Sequence, residues 1–354
     1  MDQEFSGRTA MVVGGAGFVG SNLVRRLLAS GVARVLIIDN FLSSDMVNVP
    51  DDPRVTVVPR PITDDAVLRD LPDDLDYVWH LACFHGNQSS IADPLMDHEN
   101  NTLTSLKLFN RLKDMKSLRK VVYAAAGCAV AEKTFGEAAA TAEDAPISLY
   151  HDSPYSISKL IGEFYGNYFF QRFGMPFVKA RFQNVYGPGE ILGAGRWRGT
   201  PHTVWRNVTP TFIFRALHGE ALQLDNGGDA SRDFIYVGDM ARGLTSAALG
   251  GAPGEVYNLA SGVETTILQL ADAINEIAGN RSPHDLKPKR DWDNSGKRFG
   301  DPSKAKAALG FAAEVDIRTG LERTIGWTRD NMATIKRCMA QHRPFVPEVA
   351  RYAV

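Results

Sequence analysis

The chain has 354 residues, of which 44% are apolar and 23% charged, and its formal net charge is −2. This is the balance of a globular protein with one large or two modest domains, and it excludes whole-chain attraction to nucleic acid or to a membrane surface. The N-terminus is acidic and then glycine-rich, unlike a signal peptide, and no apolar run approaches the roughly 18 residues of a membrane span.

In chain order, strand-like apolar runs fall at 9–15, 34–40, 54–60, 77–83, 120–126 and 177–185, with helical patterns at 18–30, 64–71, 98–115 and 153–173. Such alternation, with nearly continuous apolar strands, predicts an α/β fold whose parallel sheet is covered on both faces. From about residue 186 the chain turns rich in Gly, Pro, Arg and Trp and reads as loop. Helices resume at 210–218, 239–249, 266–279, 303–309 and 317–334, and the polar stretch 280–301 reads as loop. Two units are expected: a nucleotide-binding domain over 1–185, to which 230–265 returns, and a smaller mixed α/β substrate lobe made of 186–229 and 266–345.

The first strand runs into "GGAGFVG", with Gly14, Gly17 and Gly20 opening a helix. Gly14 suits a tight turn, Gly17 lets backbone approach a pyrophosphate, and Gly20 lets the helix pack on the sheet, which makes the sheet doubly wound in the Rossmann manner. Asp39 ends the next strand-like run, where a carboxylate accepts from both adenosine ribose hydroxyls and repels a 2′-phosphate. NAD is therefore favoured over NADP.

Further on, "SPYSISK" sets Tyr155 and Lys159 four residues apart at a helix start, on one face. A lysine ammonium near a phenol favours phenolate, and the pair is expected to lower the tyrosine pKa and to exchange a proton while hydride moves. The cysteines Cys83, Cys128 and Cys338 form neither a disulfide framework nor a CxxC pair, so a reducing cytoplasm is expected. The histidines show no HxxxH or HxH spacing, and no metal site is expected.

With "HLA" (80–82), "YSISK" (155–159), "ARFQNVYGPG" (180–189), "RDFIYVGDMARGL" (232–244) and "DPSKAKAALGF" (301–311), the chain resembles the extended short-chain dehydrogenases/reductases of the nucleotide-sugar epimerase and dehydratase group. The resemblance implies a retained NAD used catalytically, with Tyr155 as base and Lys159 as its partner on the nicotinamide ribose. It implies that Phe18 and Val19 offer N–H groups to the pyrophosphate, that Asp39 and Asn40 hold the adenosine ribose, that Ile62, Leu81 and Ala82 lie on the cofactor side, and that Asn101 is a structural or cofactor-side Asn. Pro61-Ile62 stands where the group has Asp-Ile against adenine. For the sugar nucleotide, the resemblance implies Asn184, Arg232 and Arg290, the arginines on the diphosphate. It also implies a homodimer through helices 98–115 and 153–173.

Two stretches depart from the group. "RWRGTPHTVWRNVTPTFI" (196–213) adds Arg196, Arg198, Arg206, Trp197 and Trp205. It reads either as a grip on an acidic sugar or the diphosphate, or as a basic surface loop with locally buried tryptophans. "HGNQSS" (85–90) falls where the sugar pocket is lined, making His85, Asn87, Gln88, Ser89 and Ser90 candidate hydroxyl partners.

"YAAAGCAV" (123–130) puts Ala126 where the group carries a Ser or Thr, and Gly127-Cys128 where its dehydratases carry Asp-Glu. Elimination therefore favours NAD-dependent 4-epimerisation of a UDP-hexose or UDP-hexuronate. The alternatives are a dehydratase, a decarboxylase or a 3,5-epimerase on the same scaffold, or a binding protein without turnover. Direct contact by Tyr155, a substitute donor from Cys128 or the 85–90 segment, or a differently seated sugar would each account for Ala126.

Overall fold

The computed structural model describes residues 3–130, 134–289 and 296–352. The first half contributes β1 (Thr9–Val13), α1 (Phe18–Ala29), β2 (Arg34–Ile38), β3 (Val55–Val58), α2 (Asp65–Arg69) and β4 (Tyr77–His80). It continues through α3 (Asn87–Ala92), α4 (Pro94–Asp97), a π-helical stretch His98–Leu103, α5 (Thr104–Leu112), β5 (Lys120–Ala126), β6 (Ala140–Thr141), α6 (Pro154–Phe173) and β7 (Phe177–Phe182). Then follow β8 (Asn184–Tyr186), α7 (Val208–Leu217), β9 (Gln223–Asp225), β10 (Ser231–Tyr236), α8 (Val237–Gly250), β11 (Val256–Leu259), β12 (Glu264–Thr266) and α9 (Ile267–Ala278). The last elements are β13 (Asp285–Lys287), β14 (Phe299–Gly300), α10 (Ser303–Leu309), α11 (Ile317–Asp330) and α12 (Met332–Ala340).

Seven strands form one parallel sheet in the order β11-β7-β5-β4-β1-β2-β3. Successive strand residues face opposite sides, so each strand feeds two cores. Val12, Ile37, Trp79, Val122 and Val178 pack with Leu23 and Leu27 of α1 and Leu244 of α8. Their neighbours Met11, Ile38, Val78, Val121 and Phe177 pack with Leu108, Phe109 and Phe169 on the other side. The chain order reverses between β1 and β4, and ligands of such sheets bind at the carboxyl ends of the strands beside that switch point. This is the Rossmann-type α/β arrangement expected, with smaller sheets beside it.

β10 pairs with β8 in parallel and with β12 antiparallel. Around it Phe212, Ile213, Leu224, Phe234, Leu270, Ile274 and Leu321 form a separate core. The segment 230–265 is thus divided: β11 enters the large sheet, while β10 and β12 build the second one.

Four details differ from the sequence expectation. The run expected as one strand over 177–185 splits at Gln183 into β7 and β8, which serve different sheets. Residues 87–92 form a helix, α3. The helix expected at 98–115 is already under way at Pro94 and widens into a π-helical stretch at His98–Leu103. The helix expected at 317–334 stops at Asp330, and α12 follows from Met332.

α6 lies close on the sheet because it carries glycines at the contact. A Cβ on Gly162 would lie 2.1 Å from the Tyr123 hydroxyl oxygen, and one on Gly166 would lie 1.9 Å from the Phe177 ring. Ser153 caps the helix, Pro154 fills its first position, and Gly174 ends it in the left-handed region at φ 71°. The first turns of α6 are thereby held over the end of β5.

Candidate active site

A cavity of about 770 Å³ opens at the carboxyl ends of the strands and continues into the second unit. One wall includes Gly14, Gly17, Phe18, Val19, Gly20, Asp39, Asn40, Ile62, Leu81 and Ala82, the residues expected to meet the cofactor. Gly14 has φ 86°, and a Cβ there would lie 2.6 Å from the Ala82 nitrogen; a Cβ on Gly20 would lie 2.1 Å from the Gly14 carbonyl oxygen. Side chains at either place would fill the cradle. α1 begins at Gly17 with no side-chain cap and no acidic residue in its first turn, leaving N–H groups and a positive helix end for an anion.

Asp39 is buried at the end of β2 and accepts from Ala16 N at 3.0 Å, Phe41 N at 2.9 Å and Ser44 Oγ at 2.8 Å. Burial pushes its pKa up, while these donors pull against that rise. The carboxylate is braced at the place where a ribose would lie. Asn40 accepts from Leu42 N at 3.0 Å and donates to Asn100 Oδ1 at 3.3 Å. The buried, uncapped glycine turn and the braced carboxylate fit a dinucleotide.

Asn101 takes the structural of the two expected places. It is buried in the π-helical stretch and does not face the cavity. Its Oδ1 accepts from Phe84 N at 2.7 Å, while Nδ2 donates to Asp97 at 2.7 Å and to Ser158 Oγ at 3.2 Å. The widened helix turns this amide inward, where it ties the segment after β4 to α6.

Tyr155 and Lys159 project from the first turns of α6 into the cavity. Tyr155 N donates to Ser90 Oγ at 3.1 Å, and Lys159 Nζ donates to the Ala124 carbonyl at 2.9 Å. The ammonium lies 5.8 Å from the Tyr155 ring centroid and 5.2 Å from that of Tyr123. Contrary to the expected lowering, Tyr155 is pushed well up. Burial is the main cause, with Cys83 and Cys128 adding to it. In the protein alone, desolvation outweighs the lysine.

Beside Tyr155, β5 ends at Ala126 and a 3-10 turn continues with Gly127 and Cys128; these residues bring no hydroxyl and no carboxylate to the cavity. Ala126 packs with Ala129, Val130 and Leu160, and Cys128 and Tyr155 lie against that cluster. A Cβ on Gly127 would lie 2.3 Å from Gln183 Nε2, so the bend between β7 and β8 closes over this strand end.

The far wall contains Asn184 and Arg232. Arg232 donates to the carbonyls of Ser231 and Gly296, each at 2.6 Å. Arg290 lies outside the described residues. The 196–213 stretch resolves into its parts. Trp197 stacks on Phe345 at 4.6 Å, and Trp205 packs edge-on against Phe214 and Tyr352, so both tryptophans join a core with the C-terminal segment. Arg196 is exposed, but Arg198 is buried. Burial, with Arg206 adding to it, pulls Arg198 down to about 9, still a cation at neutral pH.

His85, Gln88 and Ser89 line the cavity together with Glu190 and Asn207, which sequence reasoning missed. Nothing in "GPGEIL" or "WRNVTP" marks these two side chains as facing the same space as His85; only the folding of the long loop brings them there.

A glycine-rich turn at the switch point, a braced carboxylate after the second strand and a Tyr–Lys pair on one helical turn define an extended short-chain dehydrogenase/reductase. The chain belongs to the NAD dependent epimerase/dehydratase family, whose pattern it matches over residues 10–260. It is 58% identical to the Bordetella bronchiseptica enzyme WbmF, solved with NAD+ and UDP, with a TM-score of 0.87 over 97% of this chain and 98% of that one. It is 28% identical to a UDP-glucose 4-epimerase of Mycolicibacterium smegmatis over 90% of this chain and 98% of the relative. A dTDP-glucose 4,6-dehydratase of Actinoplanes is also 28% identical, over 91% and 98%. The expected family, fold and NAD dependence hold, and the relatives include both epimerases and a dehydratase of nucleotide sugars.

Proposed function

We propose that this protein epimerises a UDP-hexose or UDP-hexuronate at C4 through a transient 4-keto sugar. The observation that carries the reading is the end of β5: Ala126-Gly127-Cys128 places no acid–base pair beside Tyr155. Dehydration needs a carboxyl pair to remove water, whereas epimerisation needs one base and space for the ketone to present its other face.

A bound NAD would supply the hydride chemistry at the sugar carbon. Tyr155 takes the C4 hydroxyl proton and gives it back. Lys159, anchored on Ala124, favours the phenolate and counters the burial that raises it. Gly14, Gly17, Phe18, Val19 and Gly20 would hold the pyrophosphate, and Asp39 and Asn40 the adenosine ribose. Asn184 and Arg232 would meet the UDP diphosphate, a nucleotide supported by the UDP bound in WbmF.

The active form is a homodimer. Ile157, Phe164 and Tyr168 lie on one face of α6 and are 46%, 54% and 53% exposed, a covering surface for a second copy. The three cysteines are free, in keeping with a reducing cytoplasm. Among the described residues no helix is long and apolar enough to cross a membrane.

The test is NAD-loaded protein incubated with UDP-glucose, UDP-glucuronate and UDP-N-acetylglucosamine, with products read by NMR and mass. A C4 epimer of unchanged mass is expected from at least one. Loss of water or of CO2, or no product from any of them, overturns the reading.

A further inference from the structure

The cavity also carries a polar chain that the reaction above leaves unused. Asn207 Nδ2 donates to Glu190 Oε1, and Asn207 Oδ1 lies 3.0 Å from His85 Nε2. Burial pushes the Glu190 pKa up, while the Asn207 hydrogen bond and the nearby Arg206 pull against that rise; as a carboxylate Glu190 only accepts, and it then decides which way the amide faces. The amide oxygen then needs a proton on Nε2. Burial is the largest effect on His85; with Arg198 and Arg206 it outweighs the Asn207 hydrogen bond and the Glu190 charge and holds the pKa below the ordinary imidazole value, so the ring is neutral at pH 7. A neutral ring with its proton on Nε2 has a bare acceptor at Nδ1. That atom has no hydrogen-bond partner among the described residues.

The position of the ring is fixed as firmly as its tautomer. Arg198 donates to the His85 carbonyl at 3.0 Å, and Asn101 accepts from the preceding Phe84 N at 2.7 Å. The imidazole stands edge-on to Tyr155, with centroids 5.8 Å apart and planes at 84°. On the strand beside the same tyrosine, Ala126 brings no hydroxyl.

We infer that His85 orients the sugar: its Nδ1 accepts from an O–H or amide N–H on the ring carbon next to the one that reacts at Tyr155. Asn207 and Glu190 are positioning residues that set its tautomer. The inference rests on the nucleotide-sugar reading and extends it to the group that replaces the absent hydroxyl. Because Nδ1 can only accept, the site selects a sugar that carries a donor there.

The experiment measures binding, so it does not depend on turnover. NAD-loaded protein is titrated calorimetrically with UDP and with UDP-glucose, UDP-glucuronate and UDP-N-acetylglucosamine. The best-bound sugar nucleotide is expected to exceed UDP by about tenfold or more. His85→Phe should erase that excess and leave UDP affinity unchanged. Asn207→Leu should do the same, whereas Asn207→Asp combined with Glu190→Gln, which keeps an acceptor toward Nε2, should retain it. If no sugar binds better than UDP, or if His85→Phe keeps the excess, the inference is overturned. Retention in Asn207→Leu overturns the tautomer lock. Failure of the wild type to epimerise anything would overturn the proposed reaction alone and leave this comparison to decide the role of His85.

Discussion

Lys159 Nζ donates to the backbone carbonyl of Ala124 at 2.9 Å, so the ammonium on α6 is pinned to the strand that ends beside Tyr155. One of its three protons is spent on the sheet, and the charge stays within 5.8 Å of the Tyr155 ring centroid. Replacing Lys159 by Met is expected to lower kcat by about 100-fold, and Tyr155→Phe by about 1,000-fold, the range for losing positioned acid–base groups. NAD affinity in Tyr155→Phe should stay within about threefold of wild type. Steady-state rates and fluorescence titration with NAD check both. Unchanged turnover in Tyr155→Phe would remove it from the reaction.

The pH dependence follows from the same tyrosine. Burial raises its pKa, the base form is the phenolate, and protonation removes that form. Activity is therefore expected to keep rising through about pH 9 without reaching a plateau and to fall as pH drops. A kcat profile on NAD-loaded protein measures it. A flat profile, with chemistry shown to limit the rate, would exclude Tyr155 as the titrating base.

Asp39 predicts the cofactor preference. Its carboxylate is buried and held by Ala16, Phe41 and Ser44, so it cannot swing away from a 2′-phosphate. Wild type is expected to bind NAD about 100-fold more tightly than NADP. Asp39→Asn keeps the shape, removes the charge, and should narrow that ratio by about tenfold. Equal affinities in the wild type would contradict the assignment.

Stability should depend on a buried ion pair that ties β7 to α6. Arg181 Nε donates to Glu163 Oε1 and its terminal nitrogen to Oε2, each at 2.9 Å, with side-chain exposures of 4% and 6%. Removing one partner leaves an uncompensated buried charge, and Glu163→Gln is expected to cost about 3 kcal/mol or more by denaturant titration. Replacing both residues with Met should cost less than Glu163→Gln alone. The reverse order would mean that the pair itself, and not the orphaned charge, dominates.

The glycine loop, Asp39, and Tyr155 with Lys159 were legible because each depends on local chemistry. A turn that needs Gly, a carboxylate at a strand end and a four-residue helical spacing all survive in one dimension. Six of the seven strands of the large sheet were also legible, since buried parallel strands are near-continuous apolar runs. Other features gave no such signal. Asn101 was expected as either a structural or a cofactor-side residue, and only the π-helical stretch, which turns its amide inward to Phe84, Asp97 and Ser158, decides between them. The tyrosine pKa was expected to fall, because the number of apolar and thiol neighbours around a phenol is set by folding and not by spacing.

By itself, the sequence determined the family, the glycine-rich turn, the spacing of Tyr155 and Lys159, and the absence of Asp-Glu at 127–128. Only the tertiary structure decided what stands opposite that gap. Glu190 and Asn207 are 17 residues apart, and Asn207 is 122 residues from His85. A hydrogen-bonded chain of this kind exists only once the loop after β8 has packed against the C-terminal segment, because long-range contacts leave no period or spacing in the chain that makes them.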